Sequence, residues 1–419
     1  MSQTDFDLVV IGAGPGGYVA AIRGAQEGLK TAIIEGHKMG GECLNYGCIP
    51  SKALITAGHL YHKIEEASTM GIEVQGLKMN LGTLVDWKGK VVKTLTGGIA
   101  QLLKANGVTA FQGMGSFAGK DGGKFRLSIN SSKDSYTGTE SGAGKIQVIT
   151  ATNVVLATGS STVEIPTLKF DGKHVLSSKE ALDVTAIPKK LVVVGGGFIG
   201  LEIGSFFTKI GTEVTVVEAT GGLLPGTDRE CVDVVQKRLV KKGVKFYFDT
   251  KALSAKAKGK GTVVEVQTPD GKKEEIDCDW ALVTVGKRPR TAGLGLENVG
   301  LATDARGFLG VNARLETSVP GIYAIGDVIG GPMLAHKASK EGLVVIECIK
   351  NPKAKMDVRA LPWAIFVDPE IAVVGHNMES AKAAGWDPVE GKCPFAANGR
   401  ALTTGDATGF VKLIADKKT

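Results

Sequence analysis

The sequence predicts an α/β fold in which two parallel-sheet nucleotide-binding units are accompanied by a smaller α+β domain. The first observation is a repeat, because DLVVIGAGPGGYVAAIRGAQEGLKTAIIE (7–35) and KLVVVGGGFIGLEIGSFFTKIGTEVTVVE (190–218) align without a gap. Each copy shows a strand, a G-x-G-x-x-G turn, an amphipathic helix, a second strand and an acid. The second observation is a strand-rich pattern from residue 357 onward. At 419 residues and 43% hydrophobic content, the chain is long enough for two or three domains.

The glycines of the repeat indicate two Rossmann-like dinucleotide-binding units. The first glycine permits a tight turn, the second lets backbone N–H groups approach a pyrophosphate, and the third allows close packing of helix on strand. They are Gly12, Gly14 and Gly17 in the first copy and Gly195, Gly197 and Gly200 in the second. Glu35 and Glu218 each follow the third glycine by 18 residues, where a carboxylate can accept hydrogen bonds from ribose hydroxyls.

The acid of the second copy also predicts which nicotinamide nucleotide is used. A carboxylate at Glu218 repels a 2′-phosphate, and no arginine follows it until Arg229. We therefore expect NAD rather than NADP at the second unit.

The segments between and after the repeats predict the remaining strands. GKIQVITATNVVLATGS (144–160) indicates two strands that end at Thr158 and Gly159, and WALVTVGKRPR (280–290) has the same strand-then-glycine form. Residues 318–342 indicate a buried strand, a turn at Gly326 and Asp327, and a helix. The polar, glycine-rich residues 128–145 are expected to form a long surface hairpin.

Composition argues against several classes of protein. No apolar run approaches the roughly 18 residues of a membrane span, and the first strand begins at Phe6, which leaves no room for a leader peptide. Net charge is +7, and the lysine clusters at 251–261 and 415–419 are typical of solvated loops rather than of a nucleic-acid surface. We expect neither a nucleic-acid nor a membrane partner.

Two cysteines stand close together in GGECLNYGCIPSK (40–52), at Cys43 and Cys48. A zinc site is disfavoured, because no second close pair of cysteines is present. On a regular helix the two residues would be about 7.5 Å apart along the axis. That exceeds the usual disulfide Cα–Cα range of roughly 4.4–6.8 Å, so a bridge requires a distorted helix and is expected to be reducible.

Two dinucleotide sites and a close cysteine pair suggest electron transfer between a flavin and a nicotinamide. The motifs GGECLNYGCIPSKAL, ATGS, GGGFIGLE, VGKRP, IYAIGDV and LAHKA resemble those of the pyridine nucleotide–disulfide oxidoreductases, in particular the dihydrolipoamide dehydrogenase branch. The resemblance implies an FAD-binding domain at 1–158 and 288–355, an NAD-binding domain at 159–287 and part of a dimerisation domain at 356–419.

The resemblance also implies roles for individual residues. Cys48 is the thiol nearest the flavin, Cys43 exchanges with the substrate, and Lys52 lies near flavin N5 with Glu202 as its counter-charge. Phe198 lies where the family places a residue that shields the flavin, and ordinary packing is the alternative role for it. The expected FAD-binding residues are Gly12, Gly14, Gly17, Glu35, Lys52, Thr158, Gly159, Asp327 and Ala335, and the expected NAD-binding residues are Gly195, Gly197, Gly200, Glu218 and Gly286. No metal site is expected.

The activity implied is oxidation of dihydrolipoamide, carried on a lipoyl domain, by NAD⁺ through the disulfide and FAD. The expected partners are a second copy of the chain and the core of a 2-oxo-acid dehydrogenase or glycine cleavage complex. The expected location is the bacterial cytoplasm or the mitochondrial matrix. Alternatives are a glutathione- or mercuric-reductase-like enzyme, which Glu218 disfavours because those usually prefer NADPH, and a non-catalytic complex subunit.

The sequence departs from the family pattern in three places. In the family, the dimerisation domain supplies a histidine base in a His-Pro motif and a glutamate that orients it. This sequence contains no His-Pro dipeptide and stops part-way through that domain, at GFVKLIADKKT. The base is therefore expected to be missing from these 419 residues, which puts dimerisation in doubt. Glu42 and Tyr46 are unusual within the disulfide motif.

Overall fold

The structure is a computed structural model that describes residues 4–131 and 146–419. Its α-helices are α1 (Pro15–Gln26), α2 (Gly41–Asn45), α3 (Cys48–Glu65), α4 (Leu81–Ala105), α5 (Ser178–Leu182), α6 (Phe198–Lys209), α7 (Arg229–Lys241), α8 (Ala335–Lys350), α9 (Met378–Ala383) and α10 (Gly399–Thr403). Its strands are β1 (Asp5–Ile11), β2 (Thr31–Glu35), β3 (Thr109–Gln112), β4 (Met114–Asp121), β5 (Lys124–Asn130), β6 (Ile146–Leu156), β7 (Ser160–Thr162), β8 (Val175–Leu176), β9 (Lys190–Val194), β10 (Glu213–Val217), β11 (Lys245–Tyr247), β12 (Lys251–Lys258), β13 (Gly261–Gln267), β14 (Lys273–Cys278), β15 (Trp280–Val283), β16 (Lys287–Pro289), β17 (Ile322–Ala324), β18 (Trp363–Ile365), β19 (Ile371–Val373), β20 (Pro388–Pro394) and β21 (Phe410–Asp416). Short 3₁₀ helices cover Ala67–Met70, Leu296–Val299, Gly326–Ile329 and Phe395–Ala397. None of the helices in the described ranges has both the length and the apolar character of a membrane span.

Both predicted βαβ units are present. In the first, β1 and β2 pair in parallel and α1 connects them; in the second, β9 and β10 pair in parallel around α6. The chain divides into two compact units. The first comprises Met1–Pro50, Asp86–Val163 and Lys287–Asp357, and the second comprises Ser51–Val85, Glu164–Gly286 and Val358–Thr419. The residue ranges given above for three separate domains stay a prediction.

The first unit is built on one mixed sheet with strand order β3-β2-β1-β6-β5-β4, and β17 also pairs with β6. Strands β1, β2, β3, β6 and β17 are parallel, whereas β4 and β5 are antiparallel. Alternate residues of β1 enter different cores: Val9 and Ile11 lie in one, Leu8 and Val10 in the other. The sheet is therefore covered on both faces, which explains the uninterrupted apolar run of β1.

Strand β6 corrects one prediction, because residues 146–156 form one strand rather than two. Its first half pairs antiparallel with β5 and its second half pairs parallel with β1 and β17. The polar residues in the middle of β6 lie where the pairing partner changes, and Thr150 is opposite both Arg126 and Asp5. From residue 132, the hairpin predicted for 128–145 lies outside the described residues.

The second unit contains a parallel sheet with strand order β11-β10-β9-β15-β8. An antiparallel sheet, β12-β13-β14, belongs to the same unit. From residue 358 onward the unit consists of the antiparallel pairs β18-β19 and β20-β21 with the short helices α9 and α10. This part agrees with the strand-rich α+β pattern predicted there.

Helices α1 and α8 of the first unit touch through a glycine. A Cβ added to Gly342 would lie 2.6 Å from the carbonyl oxygen of Gly16 and 3.2 Å from the amide nitrogen of Ala20. The two backbones approach so closely that no side chain fits between them.

We expect Gly342→Ala to destabilise the protein. Alanine normally stabilises a helix by about 1 kcal/mol relative to glycine, but here its methyl group would push backbones apart, which costs about 1–3 kcal/mol. Gly89→Ala is the matched control, because Gly89 lies exposed in α4 and nothing lies within 4 Å of the added Cβ. Chemical denaturation should show a lower midpoint for Gly342→Ala and an unchanged or higher one for Gly89→Ala. Equal midpoints would contradict the close α1–α8 contact.

Candidate active site

The first dinucleotide turn, in the first unit, needs glycine for two different reasons. Gly12 has φ +102°, and a Cβ there would lie 2.3 Å from the carbonyl oxygen of Ala157. A Cβ on Gly17 would lie 1.8 Å from the carbonyl oxygen of Gly12. Gly14 differs, because nothing lies within 4 Å of its added Cβ. The turn is thus closed where helix meets strand and open at the second glycine, where a pyrophosphate has room to approach the start of α1.

Glu35, the last residue of β2, is 8% exposed and tied to the same turn. Its Oε2 accepts a hydrogen bond from the Ala13 N–H at 2.7 Å, and its Oε1 accepts one from the His37 N–H at 2.8 Å. Burial raises the pKa of Glu35, although these two hydrogen bonds oppose the effect. Each carboxylate oxygen of Glu35 can accept one further hydrogen bond, and its role as a ribose acceptor stays a prediction.

Asp327 lies in a polar cluster of the first unit. Burial raises the pKa of Asp327, and the hydroxyl of Ser160 opposes this by donating to its Oδ2 at 2.6 Å. Glu42 adds a second negative charge nearby, and Lys287 pairs with Glu42. The preceding residue, Gly326, donates its N–H to Glu341 Oε2 at 2.7 Å. This cluster offers both hydrogen-bond acceptors and a cation to a polar ligand.

The other FAD-binding candidates of the first unit lie at the ends of strand and helix. Thr158 donates its hydroxyl to the carbonyl of Arg290 at 2.7 Å, and Arg290 donates its N–H to the carbonyl of Gly159 at 3.0 Å. Ala335 is the first residue of α8, and its N-cap, Leu334, makes no side-chain hydrogen bond to the helix. The positive end of the α8 dipole is therefore available to an electron-rich ligand.

The cysteine motif lies against the first dinucleotide turn. Cys43 is in α2, and Cys48 is the first residue of α3, so the predicted distortion of a continuous helix takes the form of a break between two helices. Gly41, at the start of α2, has φ +61°, and its added Cβ would lie 2.5 Å from the Cα of Gly14. Burial, followed by the charges of the two cysteines, raises the pKa of Tyr18. The pair, the phenol and the dinucleotide turn thus belong to one site.

The second dinucleotide turn, in the second unit, repeats the same arrangement. Gly195 has φ +105°, and its added Cβ would lie 2.7 Å from the carbonyl oxygen of Thr284. A Cβ on Gly200 would lie 2.6 Å from the carbonyl oxygen of Gly195, whereas nothing lies within 4 Å of one on Gly197. Gly286, with φ +131°, also faces open space. A second dinucleotide can therefore approach the start of α6.

Glu218 is held rigidly at the end of the second unit's β10. Its Oε2 accepts from the Gly196 N–H at 2.6 Å, and its Oε1 accepts from the N–H and hydroxyl of Thr220 at 2.8 and 2.7 Å. Arg229 donates to the carbonyl of Leu223 at 3.0 Å. The charge that is fixed beside the second turn is therefore negative.

Lys52 and Glu202 form the ion pair that the resemblance implies, with Nζ 2.7 Å from Oε2. Glu202, the fifth residue of α6, is 4% exposed, and its Oε1 accepts from the N–H of Phe366 at 2.9 Å. The ring of Phe366 also lies 4.4 Å from the Lys52 ammonium. Phe198, at the start of α6, makes an edge contact with Trp363 at 6.2 Å between ring centroids. The catalytic roles of these residues stay predictions.

Sequence reasoning missed three contacts of these sites. They are the Glu42–Lys287 ion pair, the Ser160–Asp327 hydrogen bond and the double contact of Phe366 with Lys52 and Glu202. Glu42 and Lys287 are 245 residues apart, and no local pattern links them. The only signal in the sequence was the acidic side chain of Glu42 directly before Cys43.

Two dinucleotide turns and a cysteine pair beside the first of them define a flavin-dependent disulfide oxidoreductase. The sequence model of the pyridine nucleotide-disulphide oxidoreductases matches residues 6–342. The model of the dimerisation domain of the same enzymes matches residues 361–419.

Known proteins give the same result. The chain is 44% identical over 417 residues to a dihydrolipoyl dehydrogenase of Haloferax volcanii, covering 99% of this chain and 85% of the relative. It is 43% identical to that of Geobacillus stearothermophilus, covering 98% and 84%. The crystal structure of LpdA from Mycobacterium tuberculosis superposes with a TM-score of 0.89 at 28% identity, covering 99% and 88%. The chain belongs to the pyridine nucleotide-disulphide oxidoreductase family, and within it to the dihydrolipoyl dehydrogenases.

Members of this family are flavoproteins that use FAD and a redox-active disulfide, and NAD is their substrate. The residues of this chain fit both groups, because each turn is open at its second glycine and each has a carboxylate beside it.

We expect NADH to be a much better reductant than NADPH. Oε2 of Glu218 can accept one further hydrogen bond, from a ribose hydroxyl of NADH, whereas the carboxylate repels a 2′-phosphate. A hydrogen bond to a charged group contributes about 1.5–3 kcal/mol. The kcat/KM for NADH should exceed that for NADPH by at least about 100-fold. Glu218→Ser should reduce this ratio, whereas Glu213→Ser, an exposed acid at the other end of β10, should leave it unchanged. Equal kcat/KM values in the unsubstituted protein would remove Glu218 as the determinant.

Proposed function

We propose that this chain oxidises dihydrolipoamide with NAD⁺ and that Cys43 and Cys48 are its redox-active pair. The observation that carries the proposal is the contact of Gly41 with Gly14, which brings the helix of Cys43 against the dinucleotide turn. The reaction consumes dihydrolipoamide and NAD⁺ and yields lipoamide, NADH and a proton.

The two cysteines have different parts in the exchange. A thiolate of dihydrolipoamide attacks Cys43, in the short helix α2, and the Cys43–Cys48 bond breaks to release Cys48 as a thiolate. The second substrate thiol then displaces Cys43, so that the Cys43–Cys48 disulfide is reduced as dihydrolipoamide is oxidised to lipoamide. Cys48 is the first residue of α3, where the positive end of the helix dipole stabilises a thiolate. FAD, when bound, supplies the two-electron chemistry that connects this dithiol with NAD⁺.

The remaining residues hold the two dinucleotides and balance charge. In the first unit, Glu35 orients a ribose, the open turn at Gly14 receives the pyrophosphate, and Asp327 binds the flavin side chain. Thr158, Gly159 and the N-terminus of α8 at Ala335 complete that site.

In the second unit, Glu218, Gly197 and Gly286 hold NAD. The cation of Lys52 offsets negative charge that develops on reduction, and Glu202 is its buried counter-charge.

The proposal extends to the partners. We assign the FAD-binding domain to 1–158 and 288–355, the NAD-binding domain to 159–287 and part of the dimerisation domain to 356–419. The match of residues 361–419 to the dimerisation domain supports a homodimer. Dihydrolipoamide on the lipoyl domain of a 2-oxo-acid dehydrogenase or glycine cleavage complex is the substrate, in a bacterial cytoplasm or a mitochondrial matrix.

The first test separates disulfide chemistry from nicotinamide chemistry. The double variant Cys43→Ser/Cys48→Ser should lose NADH-dependent lipoamide reduction by at least about 10³-fold, because thiol–disulfide exchange has no substitute nucleophile. Reduction of an artificial dye by NADH should persist, since it needs only the two nucleotide sites. Cys278→Ser is the control, because that thiol is buried and its pKa is raised to about 12 by burial. Lipoamide turnover by the double variant would refute the proposal. An unsubstituted protein that reduces neither lipoamide nor the dye with NADH would favour a non-catalytic role.

The second test separates the two cysteines. Cys43→Ser should show long-wavelength absorbance without any reductant, because the remaining thiolate at Cys48 faces the oxidised flavin. Cys48→Ser should lack this band even after reduction by two electrons. Absorbance spectra of the purified variants between pH 6 and pH 9 provide the measurement. If the two variants give the same spectra, the assignment of the roles is wrong.

A further inference from the structure

The segment of residues 363–368, which we call the strap, is attached to helix α6 at three places in the second unit. The ring of Trp363 contacts that of Phe198 at 6.2 Å, and the N–H of Phe366 donates to Glu202. Farther along, the carboxylate of Asp368 lies 3.1 Å from Lys209 Nζ. Since Phe198, Glu202 and Lys209 follow one another along α6, the strap runs beside the helix from its first residue to its last.

The strap is held firmly because its alternate residues enter the core. Ile365 is 1% exposed and Val367 is fully buried, both in the main core of the second unit. Asp368 also lies 3.7 Å from a guanidinium nitrogen of Arg238, which gives its buried carboxylate two cationic partners. These contacts leave Phe366 little freedom to move.

Phe366 therefore contacts both members of the Lys52–Glu202 pair from a fixed position. The N–H of Phe366 donates to Oε1 of Glu202, whereas Lys52 pairs with Oε2. The ring of Phe366 lies 4.4 Å from the Lys52 ammonium. An aromatic face at that distance attracts a cation, and the attraction is strongest where water is partly excluded. The side chain of Lys52 is 33% exposed, so the ion pair alone leaves it other rotamers.

We propose that Phe366 is a positioning residue, which fixes the ammonium of Lys52 between its ring and the Glu202 carboxylate. The inference rests on the proposed function, in which Lys52 offsets charge on the reduced flavin. Phe366 lies in the region matched by the dimerisation-domain model, so that region takes part in placing the charge of Lys52.

The test compares Phe366→Leu with Phe366→Tyr in the holoenzyme. Leucine keeps the backbone N–H and much of the apolar volume but removes the aromatic face, whereas tyrosine retains it. Phe410→Leu is the matched control, because the ring of Phe410 lies 4.2 Å from the ammonium of Lys392 in an equivalent pair within the same matched region. Phe366→Met replaces the leucine variant should that variant fail to fold.

The first measurement is the rate at which acetic anhydride labels Lys52, followed by mass spectrometry of peptides. Phe366→Leu should accelerate the labelling of Lys52 about threefold to tenfold, and Phe366→Tyr should restore the original rate. Phe410→Leu should accelerate labelling of Lys392 only. Unchanged labelling of Lys52 in Phe366→Leu would overturn the proposal.

The second measurement is the equilibrium between NADH, NAD⁺ and bound FAD. Phe366→Leu should disfavour reduced FAD by about threefold to tenfold, and it should have no further effect in a Lys52→Met background, because the ring acts through Lys52. An equal effect in both backgrounds would also overturn the positioning role. Lipoamide turnover that persists in Cys43→Ser/Cys48→Ser is a different result, since it would overturn the proposed function instead.

Discussion

A hydrogen bond from a backbone N–H inside a glycine turn to a carboxylate at the end of the next strand organises both nucleotide sites. In the first unit Ala13 donates to Glu35 at 2.7 Å, and in the second Gly196 donates to Glu218 at 2.6 Å. Removing a carboxylate from water is costly unless hydrogen bonds satisfy it. Glu35 is buried and Glu218 is half-buried, so in both units the turn and the acid stabilise each other. The same carboxylates that close the turns thereby acquire one fixed orientation, with lone pairs left for a ribose.

Other buried acids of the molecule follow the same rule. Glu202 accepts from the N–H of Phe366 and Glu341 accepts from that of Gly326, and each also has a lysine partner. A main-chain donor fixes where the carboxylate lies, and the lysine offsets its charge. Because the acid is held by the backbone, the cation beside it is also confined. The positions of the Glu202 and Glu341 carboxylates, and of the lysines beside them, thus depend first on the backbone N–H groups that hold the acids.

The sequence was informative wherever function depends on short-range geometry. The turn glycines, Glu35, Glu218 and the elements around them could be predicted because strand, turn and helix follow each other within about 30 residues. The contacts of Glu42 with Lys287 and of Phe366 with Glu202 could not, because they join segments distant in the chain and obey no local period. Strand β6 was misjudged for a related reason, since the polar residues in its middle are accommodated by a change of partner strand. Lys52 and Glu202 were linked only through the family resemblance.

Strand β17 has a consequence for the order in which the chain can fold during synthesis. It completes the first unit's sheet by pairing with β6, yet it comprises residues 322–324, far beyond every other strand of that sheet. All strands of the second unit's parallel sheet lie between residues 175 and 283. A ribosome therefore delivers that second sheet whole while the first still lacks a strand next to its centre. All strands of the second sheet are therefore available to pair before the last strand of the first sheet has been made.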